Sequence, residues 1–209
     1  MIRIGTRSSP LALTQAMIVR DVLIPLYPKR KIDIIPFTTR GDQTNKSLHD
    51  IGGKSLFTKE LQDALLSKEI TCAVHSLKDV ELHDLPLVLG AFLKREAAHD
   101  VLIIRKGVYD EKSPAIMNGP VAGTFTQPLL SGILGTCSPR RCAQTKIAFP
   151  NVTTVDLRGN VGTRLKLVNE GVVDATILAA AGLMRLGFNS ETFEKEFPGL
   201  HQQCHSVSS

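Results

Sequence analysis

The chain has 209 residues, 43% of them hydrophobic, which is enough to bury a core in one large domain or two small ones. Its formal charge of +5 and pI near 9.1 favour an anionic partner. An aromatic content of 5%, with no Trp and no basic run beyond "PKRK", excludes the stacking platform of a single-strand nucleic-acid binder.

In chain order, "IRIG" reads as a short strand, and "LALTQAMIVRDVLIPL" carries apolar residues at helical spacing until it stops near Pro25 and Pro28. "KIDIIPFTT" is a second strand. After the glycine-bearing loop "DIGGKSLF", "TKELQDALLSKE" is an amphipathic helix capped by Thr58, and "ITCAVHSL" is a buried strand leading into the loop "KDVELHD". "LPLVLGAFL" and "DVLIIRK" read as strands flanking the charged patch "KREAAHD", the crossover between two domains. Gly107 to about Pro128 is an irregular insertion. Strand "SGILGT", helix "PRRCAQTKIAF", strand "VTTVDLR", helix "VGTRLKLVNEG" and strand "DATILAA" running into "AGLMRLG" complete the alternation. Strands joined by helical crossovers imply an α/β fold with parallel-rich mixed sheets. The expected lobes are residues 1–96 and 97–193, with 194–209 returning to the first.

"PKRK" is a solvated turn. No apolar run reaches the ~20 residues of a membrane span, and "MIRIGTRSSP" lacks a signal-peptide core, so a cytoplasmic protein without a membrane partner is expected. Cys72, Cys137, Cys142 and Cys204 have neither zinc-site spacing nor disulfide density, so reduced thiols and no metal are expected.

Two stretches repeat one device: "IGTRSSPLALTQ" from Ile4 and "LGTCSPRRCAQT" from Leu134. In each, a strand end runs through Gly-Thr into Ser-Pro, with Ser9 and Ser138 as N-caps and Pro10 and Pro139 at the first helical position. Such a junction points backbone N–H groups and the positive end of a helix dipole at one spot, which suits an anion. Arg7 lies beside the first copy, Arg140 and Arg141 beside the second, and "DLRGNVGTR" adds Arg158 and Arg164 at a third junction. With Arg185, these guanidinium groups imply a ligand bearing several carboxylates or phosphates; the plainer alternative is a set of surface arginines in salt bridges.

"RIGTRSSPLALTQA", "GGKSLFTKEL", "AVHSLKDV", "GTCSPRRCAQ", "DLRGNVGTRL" and "ILAAAGLMRLG", in this order, resemble the porphobilinogen deaminase (hydroxymethylbilane synthase) family from the N-terminus to about residue 188. The resemblance implies a transferase of tetrapyrrole (haem) biosynthesis that joins four porphobilinogen molecules head to tail with release of ammonia. It also implies two similar lobes like those of type II periplasmic binding proteins, a cleft between them, a monomer, and a dipyrromethane cofactor. By motif, Asp79 resembles the catalytic aspartate, which would bond pyrrole N–H groups, assist proton transfer at the leaving amine and stabilise the azafulvene cation. Without the motif, Asp79 would read as a loop aspartate capping a turn. Lys54, Lys59, Lys78, Arg7, Ser9, Ser138, Arg140, Arg141, Arg158, Arg164 and Arg185 match positions that meet the acidic side chains of cofactor and polypyrrole chain, Ser138 with a hydroxyl and a backbone donor. His75 reads as a core histidine without chemistry.

Four departures stand out. The family's loop after Lys-Asp continues with proline where this chain has "KDVELHD"; Pro139 replaces a leucine; the segment 107–130 is longer than the family's connection. The fourth is that the family's third domain, whose cysteine carries the cofactor, is expected to be absent, and Cys204, in a polar tail, is not assigned that role. The competing expectation is therefore a truncated, non-catalytic two-lobed module that binds a polyacid.

Overall fold

The computed structural model describes residues 1–39, 41, 58–80, 87–108 and 131–204. Lys54 and the rest of "DIGGKSLF", as well as 81–86 and 109–130 of the loop and insertion read above, lie outside the described residues. The chain divides into Met1–Leu93 and Lys94–Ser209.

The first unit contains β1 (Ile2–Arg7), α1 (Pro10–Leu26), β2 (Ile32–Phe37), α2 (Lys59–Leu66), β3 (Cys72–Ala73) and a 3-10 turn at Leu77–Asp79. Its sheet runs β2-β1-β3, both pairings parallel, with Ile4 opposite Ile34 and Cys72. Parallel neighbours need a crossover, and α1 supplies the one between β1 and β2. Leu61 and Ala64, three apart on one face of α2, are buried with Ile70 against Ile35, Phe37 and Ala73. α1 continues a single residue past Pro25, whose missing N–H withholds a helical hydrogen bond.

The second unit contains β4 (Asp100–Arg105), β5 (Gly132–Gly135), α3 (Pro139–Ala148), β6 (Val152–Val155), α4 (Val161–Asn169), β7 (Ala175–Ala179), α5 (Ala180–Arg185), α6 (Ser190–Glu196) and β8 (Leu200–Cys204). The sheet order is β6-β5-β7-β4-β8. β5 is parallel to β6 and β7, and β4 is antiparallel to β7 and β8. β4 is buried on both faces, which explains its unbroken apolar run. Val101 and Ile103 join Leu165, Val168 and Phe193 on one side; Leu102 and Ile104 join Leu134, Phe149 and Val152 on the other.

Both units are therefore α/β, the first sheet all parallel and the second mixed, so that parallel pairings predominate among the described strands. Three details differ from expectation. Residues 87–93 of "LPLVLGAFL" form no strand, and Val88 is 92% exposed; β3 offers an edge of only two residues for another strand to pair with. The division between the units falls at Leu93, and within the stretch expected to return to the first unit Leu200–Cys204 pairs antiparallel with β4, placing the backbone of Cys204 opposite Val101. Cys204 thus ends a strand instead of lying in a loose tail. α6 is fixed by a capping box between Asn189 and Thr192, and buried Phe193 packs against Phe188 and Phe197, with ring centroids 6.0 and 5.6 Å away. Among the described residues no helix is long and apolar enough to cross a membrane.

Candidate functional site

In the first unit the expected residues gather at the carboxyl ends of β1 and β3. Arg7 closes β1, and Ser9 caps α1, its Oγ accepting from the Ala12 N–H at 3.4 Å. Buried Thr6 donates its hydroxyl to the Ala12 carbonyl at 3.1 Å, tying strand end to helix. Beyond β3 the Val74 N–H still bonds the Gly5 carbonyl at 2.9 Å, so the chain leaves the sheet beside β1 before the turn that carries Lys78 and Asp79. The Asp79 N–H donates to the Ser76 carbonyl at 2.9 Å, and Gln15 on α1 donates to Ser76 Oγ at 3.2 Å. Asp79 is thus held half-buried on a turn anchored to α1. His75 belongs to this group and is not a remote core residue. Burial lowers its pKa below the ordinary 6.5, the Asp79 charge opposing and the Arg7 charge reinforcing the shift. Lys59, at the start of α2, and Lys78 are exposed and make no ion pair among the described residues.

In the second unit the strand ends of β5, β6 and β7 lead into α3, α4 and α5, and in an α/β sheet the crevice lies at these carboxyl edges. Ser138 caps α3, its Oγ accepting from the Arg141 N–H at 3.5 Å. Its own N–H goes to Thr136 Oγ1 at 3.2 Å, so the backbone donor expected of Ser138 is used within the loop. Asn160 caps α4 by accepting from the Thr163 N–H at 2.9 Å. Arg164 reaches back with Nε to the Gly159 carbonyl at 2.9 Å. Burial lowers the Arg164 pKa, with nearby Cys137 opposing and Arg141 adding to the shift, so Arg141, Arg164 and Cys137 share one neighbourhood. Arg158 follows β6 and is half-buried. Arg185, in the last turn of α5, keeps Nε buried without a hydrogen-bond acceptor among the described residues.

The sequence reading missed Asp100, the first residue of β4. Because β4 is antiparallel to β7, Asp100 lies opposite Ala179, at the carboxyl edge where the arginines are. Arg141 grips it through Nη2 to Oδ1 at 2.6 Å and Nε to Oδ2 at 3.1 Å; Arg140 adds Nη2 to Oδ2 at 2.7 Å. Burial alone would raise the Asp100 carboxyl, but the Arg141 and Arg140 hydrogen bonds and charges outweigh it and hold it below the ordinary 3.8. Gln15 was also missed; a mid-helix glutamine carries no sequence signal.

Each unit therefore presents a basic, hydroxyl-bearing edge suited to carboxylates, and the first adds a half-buried carboxylate. Among the described residues no cluster suits a metal ion.

A family model described as "Porphobilinogen deaminase, dipyromethane cofactor binding domain" matches residues 2–207, so the likeness extends past the residue 188 at which the motifs fade. The chain is similar to the porphobilinogen deaminase of Sphingopyxis alaskensis, at 44% identity over 192 residues, which is 90% of this chain and 57% of that protein. It is similar to that of Streptococcus sanguinis at 42% identity over 191 residues, 90% of this chain and 58% of that protein. The chain thus spans a little under three fifths of these relatives. Among solved structures it aligns with the periplasmic aliphatic sulphonate binding protein SsuA from Escherichia coli at 14% identity and a TM-score of 0.48, over 98% of this chain and 56% of that one.

Proposed function

Because the chain belongs to the porphobilinogen deaminase family, we propose that it serves that family's transferase reaction, the stepwise joining of four porphobilinogen molecules to hydroxymethylbilane with release of ammonia in tetrapyrrole biosynthesis. The observation that carries this reading is the setting of Asp79, a carboxylate on an anchored turn beside Arg7 and neutral-leaning His75. A carboxylate there accepts a pyrrole N–H, holds the proton exchanged at the leaving amine and offsets the positive charge that develops as the amine departs. Burial disfavours the charged form of His75 and so weakens its pairing with the Asp79 carboxylate.

The family's dipyrromethane bears carboxylate side chains, and the second unit fits it: Arg185 Nε is a buried donor lacking an acceptor among the described residues, and Arg140 is 59% exposed. Arg140, Arg141, Arg158, Arg164, Arg185 and Ser138, together with Arg7, Ser9, Lys54, Lys59 and Lys78, would hold those carboxylates and the like ones of porphobilinogen and the growing chain. When bound, the group supplies the primer from which the polypyrrole grows. We also assign the protein to the cytoplasm as a monomer acting on a small molecule, not on nucleic acid or membrane.

The test is to supply porphobilinogen to the purified chain and follow its consumption and the ammonia released. Turnover in the native chain that disappears in Asp79→Asn supports the reading. Turnover that survives in the variant removes Asp79 from its role, and tight binding without turnover identifies a polyacid-binding module.

A further inference from the structure

Asp100 is the one acidic side chain that the antiparallel β4 brings against the arginines of the second unit. Its side chain is 16% exposed, and it meets two guanidinium groups in different ways. Arg141, 14% exposed, is fixed by three bonds, two to Asp100 and one from Nη1 to the Ile177 carbonyl at 2.9 Å. Arg140, 59% exposed, is held by Asp100 and by Gln144 Oε1 at 2.7 Å. Two guanidinium groups offer ten N–H donors, and among the described residues five of them are engaged.

We propose that Asp100 is a positioning residue: it fixes the Arg140–Arg141 pair in the orientation that receives a ligand carboxylate. The inference rests on the reading of this edge as a carboxylate site. Without Asp100, two adjacent guanidinium groups at a helix N-terminus, with Arg164 nearby, repel one another and the positive helix end, and they splay toward water. With it, their planes are fixed before the ligand arrives, so less ordering is required at binding.

The roles open to Asp100 differ in sign. As a mere counter-charge it competes with the ligand, and its removal tightens anion binding. As a purely structural ion pair, its removal lowers the melting temperature and leaves affinity unchanged. As a positioning residue, its removal weakens binding although the site becomes more positive.

The experiment is calorimetric titration of porphobilinogen into the native chain and Asp100→Asn, with circular dichroism to establish the fold of each. We expect at least about tenfold weaker binding in the variant, a loss of about 1.4 kcal/mol by the affinity arithmetic. Equal or tighter binding by a folded variant overturns the proposal. If Asp100→Asn does not fold, Asp100→Glu replaces it, keeping the charge but moving the carboxylate by one methylene; an affinity loss of threefold or more supports positioning, and undiminished affinity overturns it. A native chain that ignores porphobilinogen refutes the proposed function alone, and the comparison is then made with citrate; a chain that binds neither refutes both.

Discussion

Gly5 and Gly135 occupy equivalent places in the two Gly-Thr junctions, two residues before the end of β1 and at the end of β5, and both are glycine because another side chain lies where a Cβ would go. They differ in what lies there. A Cβ on Gly5 would overlap Ile70 Cδ1, the far end of a side chain, and would next meet Leu61 Cδ2 at 3.0 Å and Ile70 Cγ2 at 3.4 Å. A Cβ on Gly135 would meet Leu157 Cβ at 2.6 Å, which no substitution short of glycine removes. Gly5→Ala should destabilise by about 1–3 kcal/mol, the usual range for overpacking a filled site. Ile70→Val deletes the offending Cδ1 at its own expense of about 0.5–1.5 kcal/mol. In that background Gly5→Ala should lose most of its penalty, giving a coupling of about 1 kcal/mol or more in a double-mutant cycle. Leu157→Ala removes the further contacts of a Cβ on Gly135, with Leu157 Cδ2 at 2.7 Å and Cγ at 3.0 Å, but not the one with Leu157 Cβ. Gly135→Ala should therefore keep part of its penalty in that background. Urea denaturation followed by circular dichroism, with constant m-values, measures all the corners. Additive effects of Gly5→Ala and Ile70→Val, or complete rescue of Gly135→Ala by Leu157→Ala, would refute the close-approach explanation.

Asp79→Asn should abolish porphobilinogen consumption while leaving the far-ultraviolet spectrum and melting temperature near native, because Asp79 anchors the turn through its backbone N–H; retained turnover contradicts its assignment. His75 binds its proton more weakly folded than unfolded, so its contribution to stability is complete above 6.5 and declines as the pH falls from there through the folded value. His75→Gln should flatten this part of the curve of urea midpoint against pH, and an unchanged slope counts against the shift. Ser138→Ala should cost about 1 kcal/mol through the lost cap. Ser138→Asp should retain the cap yet weaken porphobilinogen binding; a capped variant with undiminished affinity would detach Ser138 from the ligand.

The sequence displayed the elements whose periodicity is local. β4 was legible as an unbroken apolar run, and Ser9, Ser138 and the helices they cap as punctuation. "LPLVLGAFL" has the composition of a strand, but pairing depends on an available edge, which a linear reading does not reveal. α6 and β8 failed for the opposite reason. Asn189 and Thr192 form a capping box in which threonine stands for the more familiar Glu or Gln, and "LHQQC" becomes a strand only because β4 has a free edge. Asp100 looked like one more charge in "KREAAHD" until antiparallel pairing carried it to the arginines. Arg7, Arg140 and Arg141 stood out because Gly-Thr and Ser-Pro mark the junctions beside them, whereas Lys54, Lys59 and Lys78 were singled out by the family resemblance alone.

Those junctions also carry an electrostatic pattern. An acid in the first turn of a helix stabilises it by about 0.3–1 kcal/mol. α2 and α6 have one, Glu60 and Glu191, whereas α1, α3, α4 and α5, which follow the carboxyl ends of β1, β5, β6 and β7, have none. At α3 and α4 the omission goes further, since Arg140, Arg141 and Arg164 add positive charge to a positive helix end. The result is a local destabilisation that a bound anion would relieve, and a carboxylate held there would gain from the guanidinium groups and from the dipoles behind them. Asp100 fits this balance because it comes from β4 instead of from a helix, and bonds to the arginines without placing an acid in the first turn of α3. A charge placed in the helix cap itself, as in Ser138→Asp, would instead neutralise the positive end directly. Stability should rise relative to Ser138→Ala while affinity falls below that of the native chain, and this opposition of sign distinguishes a helix end reserved for a ligand from one that merely lacks an acid.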